Sequence, residues 1–321
     1  MATSKDKQKQ RPRVAILIPA YNEELTIAAC IQDMHRHCPK AEIVVINNNS
    51  SDRTEAIAAE SLRKIKSPGR IINEPAQGKG HALRRAFQMV DADVFAMVDA
   101  DTTYHGSDLE MLLRPVLEGR ADMVVGDRHA TGAYKSENKR TFHGFGNHLV
   151  KAIINVLFRS QLNDIMSGYR VLSRKFVKLF PILSAGFEIE TEMTLHALDK
   201  RYRVHEIPVQ YTERPTGSFS KLHTFRDGFR VLSYIFTIFR YYRPFIFFAT
   251  VGSLFFASGL AAGVPVILEF IETQYVAHVP LAILSTGLMI LAVLSFAIGL
   301  ILDALARNIR TQYELLWIRE D

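Results

Sequence analysis

Two stretches in the last quarter of the chain, "FIFFATVGSLFFASGLAAGVPVIL" from Phe245 to Leu268 and "VPLAILSTGLMILAVLSFAIGLIL" from Val279 to Leu302, each run about 24 residues without a charged side chain. A helix needs roughly 20 apolar residues to cross the hydrocarbon core of a bilayer, so both stretches predict membrane-spanning helices. A helix in a soluble core rarely stays uncharged for so long, because one face normally meets water. Arg240 and Arg243 precede the first span, and Arg307 and Arg310 follow the second. The connection "EFIETQYVAH" carries two glutamates and no Lys or Arg. The positive-inside rule then puts both termini in the cytoplasm and the short connection outside.

Residues 1–12 are polar and basic with no apolar h-region, and read as a disordered cytosolic lead-in rather than a signal peptide. Just before the first span, Phe225, Phe229, Leu232, Phe236 and Phe239 recur at spacings of four and three, with Arg226 and Arg230 beside that stripe. This pattern predicts an amphipathic helix over 221–243 lying in the membrane interface, or one packed on the soluble domain or another subunit. The net charge of +6 is compatible with a membrane surface or an anionic ligand. Cys30 and Cys38, the only cysteines, are too few for a disulfide framework or a thiolate zinc site and read as reduced.

Over residues 13–220 the pattern alternates. "RVAILIPA", "AEIVVIN", "GRIINE", "VFAMVDA" and "ADMVVGD" read as strands, with helices at about 24–37, 52–65, 79–90 and 107–117 between them. Continuous apolar strands separated by helices predict an α/β domain whose mostly parallel sheet is covered on both faces. Ligands bind such sheets beyond the carboxyl ends of the strands. Three strands end there in polar clusters: "PAYNEE" at 19–24, "NNNSSD" at 47–52 and "DADTT" at 99–103. Singly, each could cap a helix or start a turn.

Asp99 and Asp101 follow five apolar positions, which shelters both carboxylates. A hard cation such as Mg²⁺ or Mn²⁺ removes the cost of that burial, and it binds through one or two carboxylates plus substrate phosphates. Gly78-Lys79-Gly80 brackets a lysine at a helix start, where backbone N–H groups attract phosphate. It lacks the spacing of a Walker A loop, and a plain loop-to-helix turn explains it equally well.

Taken in order, "IPAYNEE", "VINNNSSDRT", "GKGHALRRAF" and "VDADTTY" resemble glycosyltransferase family 2, whose fold is GT-A. "VVGDRH", "DIMSGYRVLSRKF", "GFEIETEM" and "ERPTGSFSKL", followed by two spans, resemble more narrowly the polyprenyl-phosphate sugar synthases of the dolichyl-phosphate mannose synthase type. The resemblance implies that Pro19, Tyr21, Glu23, Asn48, Asp52, Lys79 and Asp99 hold the nucleotide sugar. It makes Asp101 the metal ligand, with Asp99 beside it. Where relatives carry two acids before the serine of the second cluster, this chain has Asn47 and Asn48. Where many carry a Gln after the second Asp, it has Thr103.

The expected nucleophile, a phosphate monoester, is already anionic at neutral pH, so the site needs cations more than a base. Arg128, Arg140, Arg170, Arg214 and Lys221 are the candidates. The resemblance puts Arg128, Arg214 and Lys221 at the acceptor phosphate, with Asp164, Glu188 and Glu190 nearby, and Arg140 and Ser218 are expected to join the acceptor-phosphate set. Asp164 reads either as a direct participant or as a structural bond to the "SGYR" turn.

The resulting expectation is inverting, metal-dependent transfer from a nucleotide sugar, a UDP-hexose, UDP-N-acetylhexosamine or GDP-mannose, to a polyprenyl phosphate. The protein would be an integral membrane protein without nucleic-acid partners. Gly252, Gly259 and Gly263 would let spans pack closely, within the chain or in a homo-oligomer. Two rivals are a non-catalytic nucleotide-binding scaffold and a processive synthase. The only tryptophan, Trp317, lies past the spans, outside the Gln-X-X-Arg-Trp segment that a processive synthase carries.

Overall fold

A computed structural model of the chain describes residues 12–66, 68–130, 151–186, 188–212, 236–237 and 240–320. Two compact units divide near Thr224. The first is built on a seven-stranded sheet with the order β3-β2-β1-β4-β6-β5-β7. Its strands are β1 (Val14–Ala20), β2 (Glu42–Asn47), β3 (Gly69–Asn73), β4 (Val94–Met97), β5 (Met123–Asp127), β6 (Arg170–Ser173) and β7 (Val204–Pro208).

Strand β1 is interior to the sheet, and Ala15 to Ile18 on it are entirely buried, as a strand covered on both faces requires. It pairs in parallel with β2 and β4, so that Ala20 lies opposite Asn47 and Leu17 opposite Met97. Between these strands run α1 (Ile27–His37), α2 (Thr54–Ile65), α3 (Lys79–Met89) and α4 (Leu109–Leu117). Helix α1 shows how one face is buried: Ile27, Cys30, Ile31 and Met34, spaced three and four apart, point into the core. Cys30 and Cys38 are both free thiols.

The strand "ADMVVGD" does not lie next to β4 as the parallel reading implies. Strand β6, from later in the chain, inserts between them and runs antiparallel to both. Two reversals leave β5 pointing the same way as β4, so the ends of β1, β2, β4 and β5 open on one edge of the sheet. Four residues, "RVLS", with one partly exposed position show no alternation from which a strand could be read.

After β6 come α5 (Arg174–Leu179) and α6 (Ile189–Asp199). His196 of α6 sits among the rings of Phe176, Phe180 and Tyr202, at centroid distances of 5.8, 5.0 and 5.9 Å. Burial, helped by the nearby Lys200 ammonium, pushes its pKa down to about 3. An imidazole that is neutral when folded and titrates near 6.5 when unfolded makes the unfolded state bind more protons between those values. We therefore expect stability to fall by about 1.4 kcal/mol per pH unit as the pH drops below about 6.5. A His196→Phe variant should lose that slope in melting curves taken from pH 7 to pH 5.

The second unit contains α7 (Pro244–Thr273) and α8 (Val279–Glu320), of 30 and 42 residues. Only 11% and 17% of their most apolar windows are buried, so they are not core helices of a globular domain and stand as candidate membrane spans. They pack on each other through small residues. Gly252 lies against Ala292 and Phe296, Gly259 against Met289, and the Ser285 hydroxyl donates to the Gly259 carbonyl at 2.8 Å. Helix α8 continues well past the expected end at Leu302, because "ARNIRTQYELLWIRE" is mostly Ala, Arg, Gln, Glu and Leu and contains no Gly or Pro to break the backbone ladder. Of the expected interfacial helix, residues 236–237 and 240–242 are described and helical. Arg243 is described and leaves the helix, and the remainder of 221–243 lies outside the described residues.

Candidate active site

The ends of β1, β2, β4 and β5 bring most of the described sequence-predicted residues to one edge. At β4, Asp101 is 3% exposed. Its Oδ1 accepts from the Thr103 hydroxyl at 2.6 Å and from the Thr103 backbone N–H at 3.1 Å. The turn is tight enough that Thr102 takes a left-handed φ of 61°. Thr103, where many relatives carry Gln, thus aims the Asp101 carboxylate. An Asx-type turn with a hydroxyl two residues on was readable as a turn signal, but its orienting role was not.

Asp99 pairs with the Lys79 ammonium. Lys79 in turn pairs with Glu190 at 2.5 Å, and the lysine and glutamate side chains are 7% and 6% exposed while that of Asp99 is 30% exposed. Burial works against the charge on Lys79, but Asp99 and Glu190 outweigh it and hold the ammonium above its ordinary pKa. Burial raises Glu190 above the ordinary carboxylate range, with Lys79 opposing and Asp99 adding to the rise. Gly168 is required here, because a Cβ at that position would run into the Asp99 carboxylate. The sequence marked Glu190 only as an acid near the acceptor. Its pairing with Lys79 crosses 111 positions and carries no local signal.

The glycines around Lys79 serve a close approach. Gly78 has a φ of 138°, and a Cβ on either Gly78 or Gly80 would strike the backbone of Ser184 and Ala185. The Gly80 N–H donates to the Ala185 carbonyl at 3.0 Å, and the Gly78 N–H to the Asn48 side-chain oxygen at 2.7 Å. Those two amides are therefore occupied within the protein rather than presented to a phosphate. Asn48 completes its clasp by donating to the Ala76 carbonyl at 2.7 Å. Asn47 donates to Asn73 at 3.0 Å and Glu55 at 3.2 Å. Both amides fasten loops to the end of β2.

Asp52 accepts from the Thr54 backbone at 3.0 Å and hydroxyl at 2.5 Å, and from the Glu24 N–H at 3.2 Å. Burial acts to raise its pKa, but these bonds hold it below the usual carboxylate range. It closes the start of α2 against the loop after β1, where the Glu23 N–H donates to the Thr54 hydroxyl at 2.8 Å. Pro19 and Tyr21, half-buried, frame the same loop.

At the end of β5, Arg128 and Asp164 form a two-pronged pair: Nε to Oδ2 at 2.7 Å and Nη2 to Oδ1 at 2.9 Å. The guanidinium also lies 5.6 Å from the Tyr211 ring centroid. Asp164 is nearly fully buried. Burial alone would raise its pKa, but the Arg128 charge overrides it and keeps the carboxyl below its ordinary range. Its Oδ1 also accepts from the Met166 N–H at 3.3 Å, one residue before the "SGYR" segment.

Arg170 is a different case from the other candidate cations. It is wholly buried, and its guanidinium donates to the carbonyls of Ser167 at 2.9 Å and Ile165 at 2.6 Å and to the Thr194 hydroxyl at 2.9 Å. Burial lowers its pKa to about 10. An arginine so enclosed holds the 165–168 turn together and is not available to an acceptor phosphate, which corrects its reading as one of the candidate cations of the site. Arg140, Arg214, Ser218 and Lys221 lie outside the described residues.

A mostly parallel α/β sheet with a sheltered carboxylate pair beyond its fourth strand defines the architecture of a nucleotide-sugar glycosyltransferase of the GT-A type. The chain belongs to glycosyl transferase family 2, whose profile matches residues 15–180. It is 30% identical over 303 residues to the glycosyltransferase AglJ of Haloferax volcanii, covering 93% of this chain and 95% of that one. It is 26% identical over 220 residues to the polyprenol monophosphomannose synthase of Mycolicibacterium smegmatis, covering 64% and 79%. Among solved structures, glucosyl-3-phosphoglycerate synthase from Mycobacterium tuberculosis, crystallised with Mn²⁺, UDP-glucose and phosphoglyceric acid, superposes with a TM-score of 0.54. The match is 20% identical and covers 71% of this chain and 79% of that one, a likeness of fold.

Proposed function

We propose that this glycosyltransferase moves a sugar from a nucleotide sugar, a UDP-hexose or UDP-N-acetylhexosamine, to a polyprenyl phosphate at the cytoplasmic face of a membrane, with inversion at the anomeric carbon. One observation carries the reading: a single chain joins the family 2 sheet to two helices of 30 and 42 residues, each with an uncharged stretch of about 24 residues and mostly exposed along its apolar length. An acceptor with a lipid tail explains why a transferase would keep both. The name of the Mycolicibacterium smegmatis relative, a polyprenol monophosphomannose synthase, supports such an acceptor and keeps mannose as the alternative sugar.

The donor set suits a hard divalent cation. Asp101 offers a carboxylate fixed by Thr103, and Mg²⁺ or Mn²⁺ binds through one or two carboxylates together with phosphate oxygens. Asp101 would hold it, with Asp99 alongside; when bound, the ion supplies positive charge against the departing diphosphate. In this reading Pro19, Tyr21, Glu23 and Asp52 shape the base and ribose pocket, and Asn48 sets the position of the Lys79 loop. Arg128, fixed by Asp164, offers a rigid cation to the acceptor phosphate, joined by Arg140, Arg214, Ser218 and Lys221. A phosphate oxygen is deprotonated at neutral pH. Asp164, committed to Arg128, is then needed to orient that arginine and not to take up a proton.

The test is a panel of labelled UDP- and GDP-sugars incubated with the purified full chain, undecaprenyl phosphate and Mn²⁺ or Mg²⁺. Products are read by butanol extraction and mass. One lipid-linked monosaccharide product is expected. Label found only in water-soluble products with every donor would overturn the lipid acceptor.

A further inference from the structure

Lys79 is shared by two carboxylates of unequal standing. Glu190 is 4% exposed and sealed in the domain, whereas the Asp99 side chain is 30% exposed and opens toward the strand-end crevice. Asp99 therefore has two competing cations to satisfy: the lysine behind it, and the divalent ion expected beside it at Asp101. A carboxylate neutralised by an adjoining ammonium attracts a second cation poorly, so something must draw the lysine charge away from Asp99.

We infer that Glu190 is a positioning residue that acts through Lys79: by taking a share of the ammonium, it leaves Asp99 enough negative charge to help bind a divalent cation. The placement supports this. Glu190 lies in the first turn of α6, where the Thr194 hydroxyl donates to its backbone carbonyl at 3.0 Å and fixes the turn. Lys79 cannot swing away, because the glycines on either side of it are pressed onto the backbone of residues 184–185. That segment is itself held from α6, where the Glu192 carboxylate accepts from the N–H groups of Leu183 and Ser184, both at 3.0 Å. The lysine is thus fixed at its backbone and divided at its tip. Among the described residues Arg170 is a further cation near Glu190, and its guanidinium donates to the Ser167 and Ile165 carbonyls, the Thr194 hydroxyl and the Met123 sulfur. It offers Asp99 no substitute partner.

Charge counting then separates this role from a merely structural one. Asp99, Lys79 and Glu190 together carry one net negative charge. Glu190→Gln leaves the trio neutral, with the whole ammonium on Asp99. Adding Lys79→Met to Glu190→Gln restores one net negative charge and places all of it on Asp99. If the ion pair served only to brace the fold, replacing both partners would make the double variant worse than the single one; the electrostatic role makes it better.

This inference rests on the proposed metal-assisted transfer. Its test is a titration of the purified full chain with Mn²⁺, followed by the loss of the free-ion signal in electron paramagnetic resonance, with and without UDP. Wild type is expected to bind more tightly than Glu190→Gln by about tenfold or more, the order of a fraction of a unit charge shifted at close range near a protein surface. The Glu190→Gln/Lys79→Met variant should bind at least as tightly as wild type. Thermal melts confirm that each variant is folded before it is titrated. Equal affinity of wild type and Glu190→Gln, or a double variant weaker than the single, overturns the role of Glu190. Identical Mn²⁺ binding by wild type and Asp101→Ala would instead remove the metal reading itself, and the inference with it.

Discussion

Asp101→Ala is expected to abolish sugar transfer, lowering turnover by about a thousandfold or more, while the protein stays folded and membrane-bound. The magnitude follows from removing the anchor of a cation whose stabilisation of developing charge amounts to several kcal/mol, at about 1.4 kcal/mol per tenfold in rate. The fold should survive because Asp101 lies in the turn beyond β4 and accepts from Thr103 of that same turn. Asp101→Asn keeps an oxygen for the Thr103 hydroxyl and loses only the charge. It should fall nearly as far as the alanine variant. Transfer measured with the active donor, beside melting curves and membrane fractionation, checks this. Near-normal turnover in either variant would remove Asp101 from the metal site and strengthen the scaffold reading.

The second large effect is on stability. Asp164→Ala should destabilise the first unit by about 3–5 kcal/mol, because it leaves the Arg128 guanidinium partly buried with its two-pronged partner gone. The pH dependence has a definite sign. Asp164 has a folded pKa below its ordinary 3.8, so its contribution is fully present above that value and is lost as the pH falls through the lower, folded one. Wild type and variant should therefore differ in melting temperature throughout the neutral range and converge only in strong acid. If Asp164→Asn keeps most of the stability but loses transfer, the carboxylate charge is what fixes Arg128 for catalysis. If Asp164→Ala melts with wild type at pH 7, the pair contributes nothing to the fold.

What could be read from the sequence had a local origin. The two spans, the alternation of strands and helices, and the gathering of three polar clusters at strand ends all follow from hydropathy and spacing. The same holds for Asp101 at the end of a buried strand. What could not be read came from the meeting of distant segments. Strand β6 is four residues long and enters the sheet only because β4 and β5 leave a place for it. Arg170 looks like any arginine in "SGYR", and only the sheet shows that its position faces inward to waiting carbonyls. The glycines at 78 and 80 suggest a phosphate loop by composition, yet the backbone of residues 184–185 occupies the space they leave. Thr103 was the departure from family pattern, and its hydroxyl proved to face the very carboxylate it follows by two residues.

The amide clasp at Asn48 has a consequence for ionic strength. Its bonds to Gly78 and Ala76 join neutral groups, which dissolved ions do not screen. Had the position been an acid held by a surface cation, the loop that places Lys79 would loosen as salt rose. As built, the geometry at the end of β2 should be the same in dilute buffer and in molar salt. Salt sensitivity in this enzyme then belongs to its exposed charges and to its encounter with anionic ligands, not to the frame that holds the lysine in place.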